Sequence, residues 1–95
     1  MGPTLNDSLA MSGDVLFRVL DDETVLINLK TGVYFGLNPV GTRVWQLVAE
    51  HHALARVLDV MLDEFEVDRD VLEHDLIDLA RQLHDAGLCE LIPTP

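Results

Sequence analysis

The chain has few cations. Six Lys and Arg residues stand against 17 Asp and Glu residues, which gives a formal net charge of −11. A protein that binds nucleic acid needs cations to neutralise the phosphates, so this composition argues against a nucleic-acid partner. Acidity of this degree either keeps a protein in solution, which composition alone favours, or suits a cationic or amphipathic peptide as partner.

The chain also has only one cysteine, Cys89, and no long apolar run. A lone cysteine excludes a disulfide within the chain and permits a reducing compartment. Because Cys89 lies between Leu88 and Leu91, we predict a small buried core residue rather than a nucleophile. No apolar run approaches the ~20 residues of a membrane span, and residues 1–13 lack the basic and apolar segments of a signal peptide. We therefore expect a cytoplasmic location and no membrane partner.

Motifs for catalysis and for cofactor binding are missing as well. The sequence contains no glycine-rich phosphate loop, CxxC, HExxH or GxSxG. His51 and His52 are adjacent, and neighbours on a helix point about 100° apart, so an interaction with the helix end is the better interpretation. His74 and Asp78 share a helical face but supply only two exposed ligands, which favours a surface pair. We expect no enzyme activity, no cofactor and no metal.

The remaining pattern predicts a small α+β domain. Three short stretches alternate apolar and polar residues or carry β-branched and aromatic ones, which is typical of strands. Three longer stretches repeat apolar residues at helical spacing. Such a sheet must cover one face, and only the helices remain to do so. The predicted strands are residues 14–20, 23–29 and 33–36, and the predicted helices are residues 39–50, 54–65 and a third that begins at Asp68 or Asp70 and closes at Gly87.

The 95 residues are enough for one domain, which we place at residues 14–92. Residues 1–13 mix Gly, Pro, Asn, Asp and Ser without periodicity and are predicted to form a flexible arm. The apolar segment 88–92 either pairs as a strand or packs under the helices. Residues 93–95 are predicted to be a disordered tail.

The segment that organises the rest is residues 31–45, TGVYFGLNPVGTRVW. Thr31 and Gly32 predict a turn, because glycine readily adopts the positive φ of a tight reversal. The residues VYF that follow are typical of a short strand. Asn38 and Pro39 then predict a helix start, since Asn caps free N–H groups and Pro at the first helical position leaves none unpaired.

This segment carries a family resemblance. LINLKTGVYFGLNPVGTRVWQLV resembles the β-hairpin-to-helix signature of the PqqD-like proteins, which are recognition elements for ribosomally made precursor peptides. The resemblance continues through DVLEHDLIDLARQLHDAGL and covers residues 15–92. It implies a winged-helix-like α+β fold, with a three-stranded antiparallel β-meander followed by three α-helices. Within the family, NLKTGVYFGLNPVGTRVW looks most like the discrete B1 proteins of lasso peptide biosynthesis.

The resemblance implies a non-catalytic function. In this family the leader of a precursor peptide adds as an antiparallel strand to the edge of the third strand, and its side chains occupy a groove beside the third helix. The expected partners are the leader, a B2-type leader peptidase and a cyclase. Two alternatives remain: a PqqD-type chaperone for another peptide-modifying enzyme such as a radical SAM protein, and a winged-helix regulator. The regulator needs a basic recognition helix, and the third helix has only Arg69 and Arg81 as fixed cations.

Candidate peptide-binding residues lie on the third strand and the third helix. A short edge strand leaves N–H and C=O groups that an extended peptide can satisfy. Asp75 and Asp78 are candidates to meet cations on the leader. For Val33 and Phe35, packing in the core is an equal alternative. The predicted set is Val33, Tyr34, Phe35, Val71, Asp75, Asp78, Leu79 and Gln82.

Overall fold

The computed structural model describes residues 3–93, which contain five strands and three helices. The predicted order of three antiparallel strands followed by three helices is confirmed, and a further strand lies at each end of this part of the chain. The elements are β1 (Asp7–Met11), β2 (Val15–Leu20), β3 (Glu23–Asn28), β4 (Tyr34–Leu37), α1 (Pro39–His51), α2 (Leu54–Glu64), α3 (Arg69–Asp85) and β5 (Cys89–Pro93).

The main sheet has the strand order β2-β3-β4. Its central strand follows the alternation of a half-buried strand, because successive side chains point to opposite faces. Thr24, Leu26 and Asn28 are buried against the helices, whereas Glu23 and Val25 are exposed. The sheet therefore packs one face on the helices and leaves the other face uncovered.

Helix α1 begins as the sequence predicts. The side chain of Asn38 caps it by accepting a hydrogen bond from the N–H of Gly41 at 2.8 Å, and Pro39 is the first helical residue. The helix ends at His51, and the chain leaves it through His52, which has φ of 62°. None of the helices within residues 3–93 is long and apolar enough to cross a membrane.

The helices share one buried apolar cluster with the sheet. Trp45 of α1 is only 1% exposed, and its ring meets that of Phe17 edge-on at a centroid distance of 5.6 Å. Burial of such side chains is the main favourable contribution to folding. The buried apolar residues are Leu9, Leu26, Leu37, Val44, Trp45, Leu47, Val48, Leu54, Val57, Leu58, Met61, Leu72, Leu76, Ala80, Leu83, Leu88 and Cys89.

An ion pair joins α1 to α2. The Nε and Nη2 atoms of Arg43 donate to the two carboxylate oxygens of Glu64 at 2.7 and 2.5 Å. This bidentate interaction lowers the pKa of the Glu64 carboxyl and raises the pKa of the Arg43 guanidinium. It provides a structural role for an acidic residue at the C-terminal end of α2, where the helix dipole disfavours a negative charge.

The N-terminal segment corrects one prediction. Within the predicted flexible arm of residues 1–13, β1 forms an antiparallel pair with β5. Leu9 is fully buried, and its N–H donates to the carbonyl of His52 at 2.9 Å. Local sequence patterns do not predict this strand, because β1 is short and its partner strand lies at the other end of the chain. The prediction is wrong for Asp7–Met11, and Met1 and Gly2 lie outside the described residues.

The C-terminal segment resolves an alternative that the sequence leaves open. Residues 89–92 pair as a strand with β1 rather than only packing under the helices. The strand includes Pro93, so the predicted disordered tail is wrong at that residue. Thr94 and Pro95 lie outside the described residues.

Candidate functional site

The first component of the site is the open edge of β4. In an antiparallel pair, successive residues alternately direct their N–H and C=O groups toward the partner strand and away from it. Asn28 of β3 donates its N–H to the carbonyl of Val33 at 2.9 Å, so Val33 faces β3, and so does Phe35 two residues later. The N–H and C=O groups of Tyr34 and Gly36 therefore point to the open edge.

The second component is a groove between β4, the start of α1 and α3, with a volume of about 460 Å³. Its floor is apolar and belongs to the core, so it is held rigidly by the packing of the whole domain. Partly buried Phe35 and Leu79 and the exposed Val40 form its walls. The buried floor residues are Leu37, Val44, Leu72 and Leu76.

The junction between β4 and α1 shapes one end of the groove. A Cβ atom added at Gly41 would lie 3.2 Å from Cδ2 of Leu37 and 3.3 Å from Oδ1 of Asn38, both tight contacts. Glycine thus permits the close approach of helix and strand at this junction. A larger residue at Gly41 would require the Leu37 side chain to shift by a few tenths of an ångström.

Two carboxylates of α3 line the groove and differ in their partners. Asp78 is held by the guanidinium of Arg81 and by Nε2 of Gln82, which donates at 2.9 Å. Asp75 is exposed, and its carboxylate forms no hydrogen bond or ion pair within residues 3–93. Asp75 is therefore the carboxylate that remains available to an incoming cation.

The structure brings five of the eight predicted residues into the groove lining: Phe35, Asp75, Asp78, Leu79 and Gln82. Tyr34 contributes outward backbone groups at its edge, but its 71% exposed side chain faces the opposite side of the sheet.

The other two predicted residues lie elsewhere. Val33 precedes β4; its carbonyl accepts from Asn28, and its N–H donates to the hydroxyl of Thr31 at 3.3 Å. Its backbone groups are thus already paired. Val71 is 57% exposed and is not part of the groove lining.

Sequence reasoning missed a second set of lining residues. These are apolar residues of α1 and α3, together with the β4–α1 junction, and their helical spacing indicates only that they face inward. Whether an inward face also lines a groove depends on the gap between α3 and β4, which no local pattern encodes. The missed residues are Gly36, Leu37, Asn38, Val40, Gly41, Val44, Leu72 and Leu76.

This arrangement is suited to binding rather than to covalent chemistry. Unpaired strand groups, an apolar floor and a free carboxylate match an extended, partly apolar peptide with a cation. Cys89 lies away from the groove lining, and burial raises its pKa to about 12, so its thiol stays protonated near neutral pH. The prediction that Cys89 is a buried core residue is confirmed. Within residues 3–93, no three His, Cys, Asp or Glu side chains are placed to hold a metal ion.

Comparison with known proteins finds one matching family model and similar solved structures. Residues 23–88 match the model of coenzyme PQQ synthesis protein D. No curated protein sequence matches the chain.

Two solved structures are similar over most of their length. One is TbiB1 in complex with the TbiA(beta) leader peptide; it is 41% identical, with a TM-score of 0.80, over 84% of this chain and 93% of that one. The other is lasso peptide synthetase B1 complexed with the leader peptide; it is 24% identical, with a TM-score of 0.78, over 87% of this chain and 98% of that one. The second likeness is one of fold.

Proposed function

Because the chain belongs to the PqqD family, whose model matches residues 23–88, we propose that it is a non-catalytic protein that captures the leader of a ribosomally made precursor peptide. The leader adds to β4 as an antiparallel fourth strand. Its alternate side chains enter the groove between β4 and α3, and its backbone pairs with the sheet edge.

One observation carries this proposal: the outward N–H and C=O groups of Tyr34 and Gly36 lie directly beside a groove with an apolar floor. The exposed edge supplies hydrogen bonds that any extended chain could use. The groove supplies selectivity, because it accepts apolar side chains at the spacing of every second residue. Asp75 adds a preference for a cation on the leader.

The proposed partners extend beyond the leader. A bound leader holds the rest of the precursor near the protein, which raises the effective concentration of the precursor for an enzyme docked there. We assign that role to a separate leader peptidase of the B2 type and a cyclase. The 41% identity to TbiB1, which was solved in complex with a leader peptide, and the fold shared with lasso peptide synthetase B1 support lasso peptide biosynthesis over service to a radical SAM enzyme.

Titration of the protein with its leader peptide, followed by amide resonances, tests the proposal. We expect the largest shifts at residues 33–36 and along the groove side of α3. A catalytic assay of the protein alone with the full precursor should leave the precursor intact. Shifts confined to the β1–β5 sheet, or processing of the precursor by this protein alone, would overturn the proposal.

A further inference from the structure

The main sheet has a second open edge, at β2. Asp14 accepts a hydrogen bond from Leu29 across the β2–β3 pair at 2.8 Å, which fixes the alternation along β2. The N–H and C=O groups of Val15, Phe17 and Val19 therefore point away from β3.

This edge lacks the usual protection against strand pairing. Natural edge strands carry proline, a bulge or several charges, or a helix covers them. β2 has an uninterrupted register, one charge and no proline. Five of its six residues are exposed, including Leu16 at 58%, Phe17 at 50% and Leu20 at 50%.

We propose that β2 pairs with β2 of a second copy of this chain, antiparallel about a two-fold axis at Phe17. The three outward residues are spaced evenly about Phe17, so this register opposes Val15 to Val19 and Phe17 to itself. Every outward N–H then meets an outward C=O of the other copy. The result is a continuous six-stranded sheet in which the exposed apolar side chains of each β2 strand contact those of the other strand.

The single charged residue of β2 favours the same register. Arg18 is the only charged residue of the strand, and within residues 3–93 it forms no ion pair. The proposed pairing places Arg18 opposite Leu16 of the other copy and diagonal to Asp14. Its aliphatic stem can cover the leucine while its guanidinium reaches the Asp14 carboxylate, which already forms an exposed ion pair with Lys30 of its own copy at 3.3 Å.

The net charge of −11 opposes association of two copies, so we expect a weak dimer that added salt strengthens. The two grooves lie at the far edges of the six-stranded sheet and stay open. Pairing of two copies at β2 is therefore independent of leader binding at β4, and either can occur without the other.

Sedimentation equilibrium of the full chain tests association. We expect a reversible dimer, and Val19→Pro, which removes an outward N–H while leaving the β2–β3 ladder intact, should weaken it by about tenfold or more. Val19→Thr keeps the N–H and is the matched control, with circular dichroism to confirm folding of both variants. A monomer at all concentrations and salt levels, or a dimer unchanged in folded Val19→Pro, would overturn the proposal.

Cysteine cross-linking tests the register even if Val19→Pro fails to fold. A mixture of Val15→Cys and Val19→Cys proteins should form a mixed disulfide, because opposed residues have Cα atoms about 5.5 Å apart. Neither protein alone should form a disulfide-linked dimer. In the proposed register, the same residue in the two copies lies four positions apart along the paired strands, about 13 Å. Cross-linking of Val15→Cys to itself instead of to Val19→Cys would contradict the two-fold axis at Phe17.

Discussion

The two edges of the main sheet offer the same kind of backbone groups in different surroundings. At β4, the outward groups of Tyr34 and Gly36 lie beside a groove whose floor is part of the core. At β2, the outward groups are flanked by exposed apolar side chains, and no residue of β2 lines the β4 groove or the second cavity, which lies beside Asp14 and Cys89.

The difference shows that hydrogen-bonding capacity alone does not make a peptide site. Pockets for alternate side chains decide which strand is accepted. The β4 edge has such pockets and suits a foreign peptide. The residues of β2 line neither that groove nor the second cavity, and this edge suits a strand that matches it by symmetry.

Proline substitutions on β4 should change folding and leader binding the most. The outcome should depend on whether the lost N–H faces β3 or the open edge of the sheet. Phe35→Pro removes an N–H that faces β3 and a side chain that packs on the core, so we expect unfolded protein. Gly36→Pro removes only an outward N–H, so we expect a folded protein with greatly reduced leader affinity.

Gly36→Ala is the control for that pair, since it keeps the N–H and its Cβ meets no atom within 4 Å. Circular dichroism reports folding, and calorimetry reports leader binding. Normal leader affinity in a folded Gly36→Pro protein would exclude strand addition at β4.

A second prediction compares a groove residue with a β2 residue in the free protein. Leu76→Ala removes a 1% exposed floor residue and should lower the free energy of unfolding by about 2–5 kcal/mol. Val19→Ala changes a 41% exposed side chain and should cost about 1 kcal/mol or less. Urea unfolding of the monomeric proteins measures both, and equal losses would show that the groove floor is not part of the core.

A third prediction separates the two carboxylates of the groove. Asp75→Asn should weaken leader binding by about 0.5–2 kcal/mol and flatten its salt dependence, because Asp75 is unpaired in the free protein. Asp78→Asn should have a smaller effect, because Arg81 and Gln82 already hold that carboxylate. Calorimetry at low and moderate salt gives the comparison. A larger loss at Asp78 would reverse the assignment.

The smallest expected effect lies away from both edges, at the Arg43–Glu64 pair. The hydrogen bond from Arg43 lowers the pKa of Glu64, so the pair stabilises the fold above the ordinary carboxyl pKa and loses that contribution as pH falls through the lowered value. Glu64→Gln should therefore differ slightly from the natural protein at neutral pH and converge with it in acid. Unfolding measured across the acid range checks this, and a difference independent of pH would contradict it. Leader affinity should be unchanged.

The sequence predicts elements well where the signal is local. Asn38 and Pro39 mark the start of α1, and alternation marks β2 and β3. It fails for β1, whose partner β5 is remote in the chain. It also identifies the groove only in part: α3 periodicity separates inward from outward residues, but the gap between α3 and β4 determines that Leu72 lines the site and Val71 does not.

Amide hydrogen exchange, measured with and without the leader, tests whether the leader adds as a strand to β4. In the free protein the N–H groups of Tyr34 and Gly36 point into solvent and should exchange fast, whereas that of Phe35 is paired with β3 and should exchange slowly. Leader binding by strand addition should protect Tyr34 and Gly36 strongly while leaving the outward amides of β2 unchanged. Tight leader binding without protection of these two amides would contradict strand addition at β4.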